Sequence, residues 1–113
     1  MNVYDEAHRL AKAIKDSEEY KDFIDKQGKI NADEKNQKMV NDFREKAMEV
    51  QMEQLSGKEV SEEKLEQLKK LQDILMLNHE IKDFFLSEMR FSQMISDVYK
   101  ILEDAINIYE NKE

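Results

Sequence analysis

Phe91–Tyr109 reads FSQMISDVYKILEDAINIY, and its apolar residues recur with the period of a helix. Phe91, Ile95, Val98, Leu102, Ala105 and Tyr109 follow one another at alternating steps of four and three, which places them on one face. Met94, Ile101 and Ile108 form a second row beside the first. The combined apolar sector is wider than a coiled-coil seam. Ser92, Asp97, Lys100, Glu103 and Asp104 keep the opposite side polar. A helix with two apolar flanks needs cover on both, and the rest of the chain is short.

The chain has 113 residues, no proline, two glycines and 39% charged residues. This length fits a single domain over residues 1–113, and the composition favours helices with short connections over a turn-rich sandwich. The net charge is -8. Residues 1–56 hold 10 basic and 13 acidic side chains and residues 57–113 hold 8 and 13, so neither half is a charged tail. Without a clustered positive field, nucleic acid is not expected as a direct partner. The absence of cysteine excludes disulfides and thiolate-held metals or clusters. No stretch reads as a signal peptide or approaches the roughly 18 apolar residues of a membrane span. The expectation is a soluble, cytoplasmic protein without membrane insertion.

Outward from the final helix, the chain divides into about five helices. Asn2 caps a first helix to about Lys15, striped by Val3, Ala7, Leu10 and Ile14. Ser17 caps a second, with the thinner face Tyr20, Phe23, Ile24 and Ile30, and Gly28 is a point where it could loosen. Asp33 caps a long third helix to about Ser56, carrying Met39, Phe43, Ala47, Val50 and Leu55, widened by Val40, Met48 and Met52. Gly57 stands where a left-handed C-terminal cap is expected, and Ser61 opens the fourth helix, striped by Leu65, Leu68, Leu71 and Leu75. So short a connection makes the third and fourth helices an antiparallel hairpin. Asn78-His79 marks a break. Ser87 is a candidate cap for the last helix, with continuous helix from His79 as the alternative. The fold class is all-α, with long third and last helices that associate as a helical dimer.

Chemistry is sparsely signalled. His8 and His79 lack the second histidine that a helical zinc motif requires. No Glu precedes a His by three positions, as carboxylate-bridged di-iron bundles require, and Asp5-x-x-His8 is the nearest approach. A carboxylate-rich metal-binding bundle remains the alternative reading. Two glycines cannot write a phosphate-cradling loop or a dinucleotide fingerprint. No catalytic, cofactor-binding or metal-ligating residue is assigned, and the chain reads as non-enzymatic. The seven methionines suit core filling, with Met48 and Met89 as groove candidates.

The apolar surplus points to a partner. Each buried Leu, Ile or Phe contributes roughly 1.5–3 kcal/mol. Leaving half a dozen of them wet would cost on the order of the whole stability of a domain. The first two helices are too small to cover the last one, so a two-fold homodimer is expected through Phe91, Met94, Ile95, Val98, Ile101, Leu102, Ala105 and Tyr109.

Asn31-Ala32-Asp33-Glu34, Phe43-Arg44, Gln51-Met52 through Gly57 and Ser61, and Ser87-Glu88-Met89-Arg90-Phe91-Ser92-Gln93-Met94-Ile95 carry a resemblance. With Tyr4-Asp5 and Ser17-Glu18-Glu19-Tyr20, their order and spacing resemble the YlbF/YmcA family of small helical bacterial proteins, in its YheA-like branch. The resemblance implies long dimerising helices in low-GC Gram-positive bacteria. It also implies an adaptor role in competence, biofilm formation and sporulation, through protein partners that adjust RNase Y and mRNA processing. The iron–sulfur clusters that some members hold on cysteines do not carry over, because this chain has none. Ala105 stands where the YheA-like branch often has proline, which predicts an unbroken last helix.

Overall fold

A computed structural model describes residues 2–107. In these residues five helices follow one another: α1 (Val3–Asp16), α2 (Glu18–Asn31), α3 (Glu34–Leu55), α4 (Glu62–Leu77) and α5 (His79–Ile106). The chain divides into two compact units, Met1–Ile24 with Leu86–Glu113, and Asp25–Phe85.

Short-range hydrogen bonds set the helix ends. The Asn2 side chain accepts from the Tyr4 N–H at 2.8 Å and starts α1. Ser17 breaks the chain between α1 and α2, with its backbone extended at φ -68° and ψ 152°. Its hydroxyl donates to the Ile14 carbonyl at 2.6 Å and accepts from the Tyr20 N–H at 3.1 Å, so one side chain ends one helix and begins the next. Asp33 accepts from the N–H groups of Lys35 and Asn36, and Ser61 from that of Lys64. Gly57 has φ +83°, the left-handed conformation that only glycine adopts without strain. Gly28 does not loosen α2: Ala32 N–H still bonds to its carbonyl at 3.0 Å.

In the unit Asp25–Phe85, α3 packs on α4 as the expected hairpin. Ile30, Val40, Val50, Leu75, Ile81 and Phe84 are buried. Neither expected α3 stripe is buried along its length: Val40 and Val50, one from each, are buried, Met39, Phe43 and Ala47 are half-buried, and Met48, Met52 and Leu55 are exposed. Arg44 lays its guanidinium 5.3 Å from the Phe84 ring centroid and 5.8 Å from that of Phe85. The cation thus caps aromatic faces that would otherwise meet water. Phe85 also meets Phe43 at 6.0 Å.

A polar bracket crosses this unit. Asn36 is buried at 4% exposure; its oxygen accepts from Asn78 Nδ2 at 2.8 Å, and its amide donates to Glu80 at 3.3 Å. Asn78 is itself the joint between α4 and α5: its N–H bonds to the Leu75 carbonyl, and its Oδ1 accepts from the Ile81 N–H at 3.2 Å. The start of α3 is thereby fastened to the α4–α5 corner. Asn36→Ala strips the partner from two polar side chains and is expected to lower stability by about 1–3 kcal/mol, measured as a reduced urea midpoint. At the hairpin's other end, Lys64 bonds to Glu53 and, at 3.4 Å, to Glu49. The Glu53 hydrogen bond, more than the surrounding charge, raises the Lys64 ammonium above its ordinary value.

Of the two starts expected for the last helix, the continuous one from His79 is observed. Ser87 is not its cap: α5 runs unbroken from His79, and Ser87 is buried inside it at 1% exposure. Asn78 supplies the cap nine residues earlier instead. At the other end, α5 stops at Ile106, with Asn107 at φ +51°. Asparagine tolerates this left-handed closing position better than most residues. Ala105 does keep the helix intact at its own position, whereas Ile108 and Tyr109 lie outside the described residues.

Candidate interaction surface

The unit Met1–Ile24 with Leu86–Glu113 contains α1, the start of α2 and the distal part of α5. Tyr20 and Phe23 lie a helical step apart on α2, and both rings meet Phe91. The Tyr20 and Phe91 centroids are 5.5 Å apart and tilted; those of Phe23 and Phe91 are 5.3 Å apart and parallel within 3°. Phe91, placed by its spacing on the outward row, is therefore the anchor that holds α2 to α5 in its own chain. Nearby, Arg90 pairs with Asp22 at 3.8 Å, an exposed pair of small energetic weight.

Beyond Phe91 the apolar rows of α5 emerge into solvent. Met94, Ile95 and Val98 are half-buried, and Ala105 is exposed. Tyr99, Ile101, Leu102 and Ile106 are exposed at 63%, 67%, 46% and 62%. Tyr99 and Ile106, absent from the rows expected to make the interface, belong to this surface. Tyr99 was legible as an aromatic one position past Val98, and Ile106 as an aliphatic one past Ala105. Small side chains let the surface recess. Ser92 and Ser96 open one depression of about 590 Å³ with Phe23, Met89, Phe91 and Gln93, and another of about 330 Å³ with Phe91, Ile95 and Tyr99. Met89, a groove candidate by sequence, lines the first.

The first two helices were expected to cover the last one only in part, and α1 itself has no buried residue. Val3 and Tyr4 are more than three-quarters exposed, Ala7, Leu10 and Ala11 are exposed, and only Ile14 is half-buried. Two apolar helix faces in this unit, that of α1 and that of distal α5, are therefore exposed or only half-buried.

Among the described residues, no three His, Cys, Asp or Glu side chains group as a metal site, and no helix is long and apolar enough to cross a membrane.

Known proteins place this arrangement. The family described as control of competence regulator ComK, YlbF/YmcA, matches residues 3–107. A UPF0342 protein of Symbiobacterium thermophilum is 40% identical over 106 residues, covering 94% of this chain and 95% of its own. One of Desulfitobacterium hafniense is 41% identical over 106 residues, covering 94% and 86%. Among solved structures, yheA from Bacillus subtilis superposes with a TM-score of 0.67 at 26% identity, over 95% of this chain and 97% of its own. A protein of unknown function (DUF964) from Bacillus stearothermophilus reaches a TM-score of 0.83 at 19% identity, over 97% and 96%, a likeness of fold. With its family model matched over residues 3–107, this chain belongs to the YlbF/YmcA family.

Proposed function

We propose that this chain is a non-enzymatic regulatory adaptor that works as a homodimer built on the distal part of α5. The observation that carries the reading is the apolar surface of Ile95, Val98, Tyr99, Ile101, Leu102 and Ile106, half-buried to about two-thirds exposed although 39% of the chain is charged. Keeping large aliphatic side chains wet is unfavourable by roughly 1.5–3 kcal/mol each, and contiguous apolar patches of this kind mark association sites. Membership in a family described by control of a competence regulator supports a regulatory role. In that role the dimer engages protein partners of the RNase Y type and so influences mRNA processing, competence or biofilm formation. The net charge of -8 favours protein over RNA as what it touches.

Sedimentation equilibrium of the purified chain at micromolar concentration is expected to give twice the 13.5 kDa chain mass. A stable monomer would sink the dimer. For the regulatory part, deleting the gene in its own organism is expected to change the processing of RNase Y-dependent transcripts, while the purified protein neither cleaves nor saturably binds labelled RNA at physiological salt. Unchanged transcripts, or saturable RNA binding, would count against the adaptor.

A further inference from the structure

The far side of α3 carries an apolar stripe that its hairpin does not use. Met48, Met52 and Leu55 follow one another at steps of four and three and are exposed at 64%, 63% and 77%. Met48 and Met52 stand two residues before and two after the buried Val50, about 200° round the helix from it. The side of α3 that bears Val50 is the one that meets Leu68 and Lys64 of α4, so the stripe is turned away from its partner helix. We infer that a basic amphipathic helix of a protein partner docks on this stripe. The inference rests on the partner-binding part of the adaptor reading above and gives it a surface on a helix other than α5.

The residue types suit such an occupant. Two of the three side chains are methionines, whose unbranched thioethers adapt to the irregular surface of an incoming helix. Their spacing presents one row along about 10 Å of α3, the arrangement that an opposing helix reads with its own apolar row.

Charge decides what kind of helix it is. Residues 44–66, which span the distal half of α3, the turn and the start of α4, hold seven acidic side chains against Arg44, Lys46, Lys58 and Lys64. Two of these cations are already engaged: Lys64 bonds to Glu53 and Glu49, and Arg44 lies over the Phe84 and Phe85 rings. Among the described residues no ion pair engages Glu45, Glu59, Glu62, Glu63 or Glu66, and all five are exposed. Only Lys46 and Lys58 stand against them. The last turn of α3 holds no basic residue, so the negative end of its dipole adds to the same field. A second copy of this hairpin would set carboxylates against carboxylates, and an anionic lipid or nucleic acid would meet the same repulsion. A helix with lysines or arginines beside its apolar row is the occupant whose charge complements the site.

The probe is a labelled synthetic helical peptide with leucines along one side and lysines on the other; its twin has glutamates in place of the lysines. By fluorescence anisotropy, the lysine peptide is expected to bind the purified chain saturably, and at least about tenfold more tightly than its twin at low salt. Met48→Gln with Met52→Gln is expected to weaken that binding about tenfold and to leave the urea midpoint in place, because both side chains are exposed. Glu45→Gln, Glu59→Gln and Glu62→Gln together form a second variant that keeps the apolar row, and are expected to lower affinity and flatten its salt dependence. Ile101→Asp with Leu102→Asp is expected to leave peptide binding unchanged. Equal binding of the two peptides, no saturable binding, or loss of binding on the α5 substitutions alone would overturn the inference. So would dissociation of a dimer by the Met48 and Met52 substitutions, since a second copy would then be what covers the stripe. Sedimentation keeps the two readings apart. A dimer that ignores the lysine peptide removes this docking site and leaves self-association standing, whereas a monomer that binds the peptide at Met48 and Met52 supports the site and removes the dimer.

Discussion

Leu75→Ala is expected to destabilise this protein by about 3–5 kcal/mol, enough to remove a large share of the roughly 5–15 kcal/mol that holds a domain of this size together. Leu75 is completely buried near the end of α4, three residues before the Asn78 joint. Removing its isobutyl group forfeits the transfer energy and leaves a cavity bordered by helices that two sets of hydrogen bonds fix in place. The Asn36–Asn78 bond holds α3, and the Ile81 N–H to Asn78 bond holds α5. With both neighbours fastened, the site collapses poorly, which puts the cost toward the upper part of the Leu→Ala range. Denaturant titration checks it. A loss below about 1 kcal/mol would mean that the corner relaxes freely and that the polar bracket is weak.

Ile101→Asp combined with Leu102→Asp is expected to raise the dimer dissociation constant at least a hundredfold, about 2.7 kcal/mol or more. The stability of the isolated chain should change by only about 0.5 kcal/mol, because substitutions at exposed positions cost little. That contrast is the purpose of the pair. Ile101 is 67% exposed and Leu102 46% exposed in the single chain, so carboxylates there meet water in a monomer but would be desolvated in the proposed interface. Sedimentation across a concentration series reads the first effect, and denaturant melting of dilute protein the second. Equal loss of assembly and fold would place these residues in an internal core instead. Unchanged assembly would remove distal α5 from the interface.

Most of the helix boundaries were legible because their causes are local. Asn2, Ser17, Asp33 and Ser61 each satisfy N–H groups two or three residues downstream, and Gly57 relieves a backbone angle. Such signals need no knowledge of distant chain. Ser87 misled for the same reason: serine before glutamate has the composition of a cap, but composition does not show whether the preceding turn is already helical. Asn78, read as a break, terminates α4 and caps α5 at once. The proposed interface was legible in its chemistry and less so in its membership. Phe91 has the right spacing to face outward, but nothing in its neighbours reveals that Tyr20 and Phe23, some 70 positions earlier, close over it.

The sequence by itself determined an all-α chain of about five helices, with the caps of the first four and their amphipathic stripes, since propensity, capping and period act over a few residues. Only the tertiary structure decided which stripes are used internally. Val40, Leu75, Ile81 and Phe84 are buried, Asn36 is drawn in as a polar bracket, and the equally periodic stripe of α1 is left in solvent. Burial is a property of what lies opposite, and residues distant in sequence supply that opposite surface. A pattern that says a face must be covered therefore cannot say whether its own chain does the covering.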